Sequence, residues 1–245
     1  MTQFALQAQA ATRALRALFE PTPLQRNDHL SARYGAEIWL KREDLSPVRS
    51  YKLRGAYNAM RKVRTSHPDQ GHFVCASAGN HAQGVAFACR HFGVQGTIFM
   101  PVTTPQQKID KTRAFGADHV RIVLTGDYFD QTLAASQRFC AEKGAHFLSP
   151  FDDEDVIEGQ ASVAVELLDQ LGQPPDLVVL PVDPVDVALG FGPAVGFHES
   201  GRGRIHDAVA ERLHRQRLDA RIEIGRDDFI ATGKMIEIFE DDAAV

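Results

Sequence analysis

The chain has 245 residues, of which 44% are hydrophobic and 24% charged, a composition typical of a globular protein with one large domain or two small ones. Its formal net charge is −5 and its Lys and Arg residues are scattered, which argues against a nucleic-acid partner. The three cysteines form no Cys-x-x-Cys pair, so we expect neither a disulfide framework nor a thiolate zinc site, but a reducing, cytoplasmic setting. No apolar run is long enough to predict a membrane span.

The elements predicted along the chain alternate between strands and helices. Residues 1–20 have apolar residues at helical spacing, without the continuous apolar core of a signal peptide, and they predict an amphipathic helix. Short apolar runs predict strands at 36–41, 72–76, 97–101, 119–124, 145–148 and 177–182. Helices are predicted at 52–63, 81–91, 106–115, 128–142 and 155–171. This alternation predicts βαβ units and a mostly parallel sheet. Beyond residue 182 it fades, although residues 205, 209 and 213 allow one amphipathic helix.

The sequence SYKLRG (50–55) places Lys52 between a predicted strand and a predicted helix. One interpretation is a solvated surface charge, the usual state of lysine. The other is an amine partly removed from water, which is more readily neutral and can attack a carbonyl to form a Schiff base. Because ligands of open α/β sheets bind beyond the carboxyl ends of strands, the position favours the second interpretation.

A turn of small residues follows the next predicted strand, in CASAGNHAQGVAFA (75–88). Such a turn leaves backbone N–H groups at a helix N-terminus, where the helix dipole favours an anion such as a substrate carboxylate. The alternative is an ordinary capped helix start with Ser77 or Asn80 as the cap. These two interpretations remain open at this point.

Four segments in this order resemble threonine dehydratase, a pyridoxal-phosphate enzyme of the tryptophan-synthase-β-like fold: KREDLSPVRSYKLRGAYNAM (41–60), SAGNHAQGVAFA (77–88), MPVTTPQQKID (100–110) and PFDDEDVIEGQASVAVELL (150–168). The resemblance covers about residues 20–182. It implies an α/β fold of mostly parallel twisted sheets with flanking helices, fold type II among pyridoxal-phosphate enzymes, with the large domain incomplete. The expected domains are 1–182, with a smaller subdomain at about 56–150 inserted in it, and a divergent segment at 183–245.

The resemblance also implies a role for each matching residue. Lys52 would form the Schiff base with pyridoxal 5'-phosphate and act as the acid and base at the substrate Cα. Tyr51 would lie beside the cofactor, and Asn80 would hydrogen-bond its 3-hydroxyl. The substrate carboxylate would be held by the loop that contains Ser77, Ala78, Gly79 and His81. The implied reaction deaminates L-threonine, and also L-serine, to a 2-oxo acid and ammonia in isoleucine biosynthesis, and the implied assembly is a homo-oligomer.

The resemblance ends where the family carries a glycine-rich loop that cradles the cofactor phosphate. This chain has DPVDVALGFGPAVGF (183–197) there, in which Asp183 and Asp186 add negative charge and Pro184 has no N–H to donate. Gly190 and Gly192 are the candidates for a displaced phosphate cradle. Two alternatives therefore stand beside the lyase: a truncated or frame-shifted inactive relative that binds the cofactor weakly, and a serine racemase-like enzyme. A nucleotide-binding module is disfavoured, because the sequence has no Gly-x-Gly-x-x-Gly or Walker motif.

Three other features are interpreted as structural. Lys41 and Arg54 are expected to support the fold rather than the chemistry. Residues 152–155 are expected to cap a helix that runs to Leu171. The histidines outside the motif lack the spacing of metal ligands, so no metal site is predicted.

Overall fold

The structure is a computed structural model that describes residues 2–150, 152–181, 195–198 and 234–239. Its helices are α1 Gln3–Leu15, α2 Asp28–Tyr34, α3 Lys52–Ser66, α4 Asn80–Phe92, α5 Gln106–Gly116, α6 Phe129–Lys143, α7 Glu154–Gln160 and α8 Ser162–Leu171. Its strands are β1 Leu24–Arg26, β2 Glu37–Arg42, β3 His72–Ala76, β4 Gln95–Met100, β5 Val120–Leu124, β6 His146–Phe147, β7 Leu177–Pro181, β8 Val195–His198 and β9 Lys234–Phe239. None of these helices is both long and apolar enough to span a bilayer.

The described residues divide into two compact units. The first contains residues 2–20 and Ser46–Val163, and the second contains Pro21–Leu45, residues 164–181, and strands β8 and β9. The expected division into residues 1–182 and 183–245 stays a prediction, as does the inserted subdomain at about 56–150. The helix predicted from residues 205–213 lies outside the described residues.

The first unit is built on a sheet whose strands are all parallel, in the order β5-β4-β3-β6. Side chains of β3 alternate between two buried clusters. Phe73 and Cys75 pack with residues of α3 and α4, whereas Val74 and Ala76 pack with residues of α6. A strand covered on both faces is typical of a parallel α/β sheet, and it explains why HFVCA is apolar at nearly every position.

The second unit contains a sheet in the order β1-β2-β9-β7-β8. Strands β1 and β2 pair antiparallel, and the other neighbours pair parallel. Ile38 of β2 is fully buried, and the partly buried Leu177 and Val179 of β7 pack against the same small cluster. The predicted α/β class with mostly parallel sheets is therefore confirmed in both units.

Most predicted elements are confirmed, with ends shifted by a few residues, and three features differ. Strand β1 and helix α2 were not predicted, and strands β8 and β9 lie in the segment expected to be divergent. The helix predicted at 155–171 is wrong as one element, because it breaks at Ala161 into α7 and α8. The Ser162 hydroxyl donates a 2.6 Å hydrogen bond to the Gly159 carbonyl, which a continuous helix would bond to the Val163 N–H. The predicted cap at the start of α7 is confirmed as Asp153.

Candidate active site

A hydrogen-bonded loop fixes the backbone of Lys52 at the start of α3. The Ser46 hydroxyl donates to the Ser50 carbonyl at 3.0 Å and accepts from the Ser50 N–H at 3.0 Å. The Ser50 hydroxyl in turn accepts from the Lys52 N–H at 3.1 Å, so it satisfies the first amide of the helix. Arg49 adopts a φ of 61°, in the left-handed region that residues other than glycine rarely enter. These hydrogen bonds connect the loop to the first turn of α3, where Lys52 begins the helix.

The side chain of Lys52 lies among buried neighbours. Lys52 is 9% exposed, and the preceding Tyr51 is 1% exposed. The Lys52 amine lies 5.4 Å from the centroid of the Tyr51 ring, within the range of a cation–π contact. The interpretation of Lys52 as a solvated surface charge is therefore wrong.

The turn after β3 leads into a helix that no described side chain caps. Helix α4 begins at Asn80, with Gly79 at the N-cap position and no side-chain hydrogen bond to the first turn. The Ser77 hydroxyl accepts from the Gly79 N–H at 3.2 Å, within the turn itself. No atom of the described residues lies within 4 Å of a Cβ placed on Gly79, so these residues leave space beside the turn. The capped-start interpretation is wrong, and the geometry fits the anion-binding alternative.

Helices α3 and α4 approach each other through their backbones at Gly84. A Cβ at Gly84 would lie 3.1 Å from the Lys52 carbonyl oxygen and 3.1 Å from the Leu53 Cα. This contact brings the first turn of α3 beside the first two turns of α4. Sequence reasoning missed Gly84, although a glycine inside a predicted helix is a signal of close backbone approach.

His81 is buried and neutral at the start of α4. It is 3% exposed, and its Nε2 lies 3.3 Å from the Leu148 carbonyl oxygen, which can only accept, so Nε2 carries the proton. Burial and, to a smaller extent, the nearby charge of Lys52 lower the pKa of His81 to about 3, and the Leu148 hydrogen bond opposes them only in part. Its Nδ1 is buried without a hydrogen-bond partner among the described residues. The His81 side chain thus brings no positive charge to the site.

The structure brings the predicted site residues of the first unit together. Lys52 and Tyr51 lie at the start of α3, and Ser77, Ala78, Gly79, Asn80 and His81 form the turn and first residues of α4. The Ser77 N–H donates to the Phe99 carbonyl at 3.0 Å, so the turn leaves the sheet at the carboxyl ends of β3 and β4. Gly190 and Gly192 lie outside the described residues. The individual roles of all these residues stay predictions.

Lys41 and Arg54 make the contacts of structural residues, as expected. The Lys41 amine donates to the Glu166 carboxylate at 2.7 Å, to the Thr22 carbonyl at 2.7 Å and to the Gln170 side-chain oxygen at 2.9 Å. The Arg54 guanidinium donates to the Ser162 hydroxyl at 3.1 Å and lies 5.1 Å from the centroid of the Phe19 ring. Both side chains are fully buried, and each makes these contacts inside the unit that holds it.

Comparison with protein families gives a match over most of the chain. A family model described as "Pyridoxal-phosphate dependent enzyme" matches residues 15–228. L-threonine dehydratase biosynthetic IlvA of Bacillus subtilis is 48% identical over 171 residues, which cover 70% of this chain and 40% of the relative. The protein of the same name from Lactococcus lactis is 51% identical over 156 residues, covering 64% of this chain and 37% of the relative. The chain thus spans about two fifths of the length of these relatives.

Solved structures give the same result for the fold. The processed form of threonine deaminase isoform 2 from Solanum lycopersicum is similar with a TM-score of 0.68 and 36% sequence identity, covering 80% of this chain and 59% of that one. A second threonine deaminase, that of T.th., is similar with a TM-score of 0.64 and 30% identity, covering 72% of this chain and 56% of that one. The predicted resemblance and its fold type are confirmed by these matches.

Proposed function

The chain belongs to the family of pyridoxal-phosphate dependent enzymes, and we propose that it is a lyase that deaminates L-threonine, and with it L-serine, to a 2-oxo acid and ammonia. The relatives named threonine dehydratase and threonine deaminase support this substrate class. Water leaves the substrate on elimination and is returned on hydrolysis, so the net reaction releases only ammonia from threonine. Because the chain spans about two fifths of the length of the relatives named threonine dehydratase, we propose this activity for the whole protein.

One observation carries the proposal: a mostly buried lysine lies against a helix whose N-terminus is capped by no side chain in the described part of the chain. Lys52 supplies an amine that is largely removed from water, and α4 supplies backbone donors in the adjacent turn. Gly84 holds these two features in backbone contact. A nucleophilic amine beside an anion-binding turn is the arrangement that an aldehyde cofactor and an amino-acid substrate require.

The described residues fit pyridoxal phosphate on its aldehyde and ring sides. When bound, the cofactor supplies an electron-withdrawing ring that stores the electron pair released as the substrate Cα–H bond breaks. Lys52 would hold the cofactor through its aldehyde, and its amine would take the proton from the substrate Cα. The side chain of Asn80 would hydrogen-bond the 3-hydroxyl, and the described residues leave space at the neighbouring Gly79.

The turn before α4 orients the substrate in this proposal. The loop that contains Ser77, Ala78, Gly79 and His81 binds the substrate carboxylate, which keeps its Cα within reach of Lys52. The neutral ring of His81 takes no part in that charge pairing, because its Nε2–H is already donated to Leu148. The ring instead ties the start of α4 to the residue that follows β6.

A visible absorbance spectrum with added pyridoxal phosphate tests the proposal. We expect a Schiff-base band in the wild-type chain that is absent from Lys52→Ala and present in Lys143→Ala, which changes an exposed lysine. Turnover of threonine and serine, followed as 2-oxo acid, is then expected in the wild type and in Lys143→Ala only. The same spectrum in all three proteins would contradict the assignment of Lys52.

Cofactor titration separates the active lyase from the alternative of an inactive relative. Each charge-assisted hydrogen bond lost from a phosphate cradle removes about 1.5–3 kcal/mol, so the loss of two weakens binding by roughly a hundredfold to ten-thousandfold. We propose that Gly190 and Gly192 supply such donors. Saturation at micromolar cofactor would support the lyase, and saturation only at millimolar cofactor without turnover would support the inactive relative.

We also propose a setting for the enzyme: isoleucine biosynthesis in the cytoplasm, as a homo-oligomer. The word "biosynthetic" in the names of the relatives supports the pathway. The three cysteines are free and buried, as is usual in a reducing compartment. Size-exclusion chromatography with light scattering measures the assembly directly, and a monomer at micromolar concentration would contradict that part.

A further inference from the structure

Gly84 occupies a position in α4 that local structure alone does not favour. Glycine inside a helix is unfavourable relative to alanine, because it loses more backbone freedom on folding. Gly84 has helical neighbours on both sides and makes no turn. A glycine at such a site is expected where another backbone comes too close for a Cβ.

That backbone belongs to Lys52 and Leu53. A Cβ at Gly84 would lie 3.1 Å from the Leu53 Cα, 3.1 Å from the Leu53 nitrogen and 3.1 Å from the Lys52 carbonyl oxygen. All three are main-chain atoms, so no side chain can rotate away to make room. An added methyl group would have to move the two helices apart by a few tenths of an ångström.

Helix α3 is also in close backbone contact with α7. A Cβ at Gly55 would lie 2.8 Å from the Val156 carbonyl oxygen, and one at Gly159 would overlap the Arg54 carbonyl oxygen. The start of α3 is therefore held between α4 and α7 by backbone contacts. A displacement at Gly84 cannot be absorbed by moving α3 freely towards α7.

The start of α4 is anchored as well. His81 donates to the Leu148 carbonyl at 3.3 Å, and the Leu148 N–H donates to the Val74 carbonyl at 2.8 Å, which ties the helix to β3. Asn80 lies four residues before Gly84 and therefore on the same face of α4. The face that approaches Lys52 is thus the face that begins at the proposed ligand-binding turn.

We propose that Gly84 is a positioning residue for Lys52, which sets the spacing between the Lys52 backbone and the N-terminal turn of α4. This inference rests on the proposed function, because the spacing matters for an amine that must meet a group held by that turn. A misplacement of about 1 Å can cost roughly a hundredfold in rate, so a few tenths of an ångström predicts about a tenfold loss.

Reductive trapping at Lys52 tests the inference without relying on turnover. The Lys52 amine condenses with the cofactor aldehyde and water is lost. Borohydride then adds hydride to the carbon, while the nitrogen takes a proton from solvent. The rate of appearance of the reduced Lys52 peptide is measured by mass spectrometry in the wild type, Gly84→Ala and Gly71→Ala. Gly71 is the matched control, because a Cβ there would meet nothing closer than the Asp69 carbonyl oxygen at 3.9 Å.

We expect equal trapping rates in the wild type and Gly71→Ala, and a rate about tenfold lower in Gly84→Ala. Each rate is divided by the folded fraction from circular dichroism, measured with and without sucrose, so that a loss of stability alone leaves the normalised rate unchanged. Equal normalised rates in all three proteins would overturn the role of Gly84. No trapping at Lys52 in the wild type would instead overturn the proposed function, and this inference with it.

Discussion

The buried, neutral His81 makes the folded chain sensitive to acid. Its pKa falls from 6.5 to about 3 on folding, mainly because burial disfavours the charged ring. Below pH 6.5 the unfolded chain therefore binds a proton that the folded chain rejects. The stability that depends on a neutral His81 is therefore fully present above pH 6.5 and is lost as the pH falls towards 3. One pH unit corresponds to about 1.4 kcal/mol, so His81 alone removes about 2 kcal/mol by roughly pH 5.

Urea unfolding at about pH 7 and pH 5 measures this loss. His81→Gln keeps an N–H that can reach the Leu148 carbonyl but does not titrate, so we expect it to lose about 2 kcal/mol less than the wild type over this interval. His29→Gln, which changes an exposed histidine, is expected to lose as much as the wild type. Burial also lowers the pKa values of His72 and His146, but both remain in every protein and cancel in the difference. Equal losses in the wild type and His81→Gln would refute the reasoning.

Three further substitutions follow from the packing and are measured by urea unfolding. Gly159→Ala is expected to destabilise by about 1–3 kcal/mol or more, because its Cβ would overlap the Arg54 carbonyl oxygen; an unchanged midpoint would contradict the close approach. Lys41→Met is expected to cost about 3–5 kcal/mol, because Glu166 stays buried without its ammonium, and adding Glu166→Leu should recover most of it. Asp153→Ala is expected to cost about 1 kcal/mol, because two amides of α7 lose their cap; no change would show that the cap is dispensable.

The strands and helices of the first unit could be predicted from the sequence because each is encoded by a local pattern of apolar residues. The run HFVCA has apolar or small side chains facing both buried clusters, so the predicted strand 72–76 has the same ends as β3. The order of strands in the second sheet could not be predicted in this way. Strand β9 pairs with both β2 and β7, which lie far from it in sequence. The pattern of residues 234–239 does not identify the strands with which β9 pairs.

The candidate site was predictable at the level of motifs but not of geometry. Lys52 and the turn before Asn80 are visible as a lysine and a small-residue turn after two successive strands. Their juxtaposition depends on Gly84, whose importance comes from atoms of another helix. The tautomer of His81 depends likewise on a carbonyl that lies far along the chain. A glycine inside a helix signals a close backbone approach but does not identify the partner, and the tautomer of His81 has no local signal at all.

Two properties of the proposed site, its affinity for the cofactor and the reach of the Lys52 amine, depend on different parts of the chain. A single activity assay would not distinguish them. Lys52, its supporting loop, Gly84 and the turn before α4 all belong to the first unit, so the proposed covalent part of the site would assemble from residues 46–163. A phosphate cradle would come from residues beyond 181. A weak cradle would then raise the cofactor concentration needed for saturation, yet leave the trapping rate of bound cofactor unchanged. A displaced α4 would do the reverse, because it alters the reach of Lys52 and not the donors of the cradle. Measuring both quantities on one set of variants therefore assigns any loss of function to one part of the site.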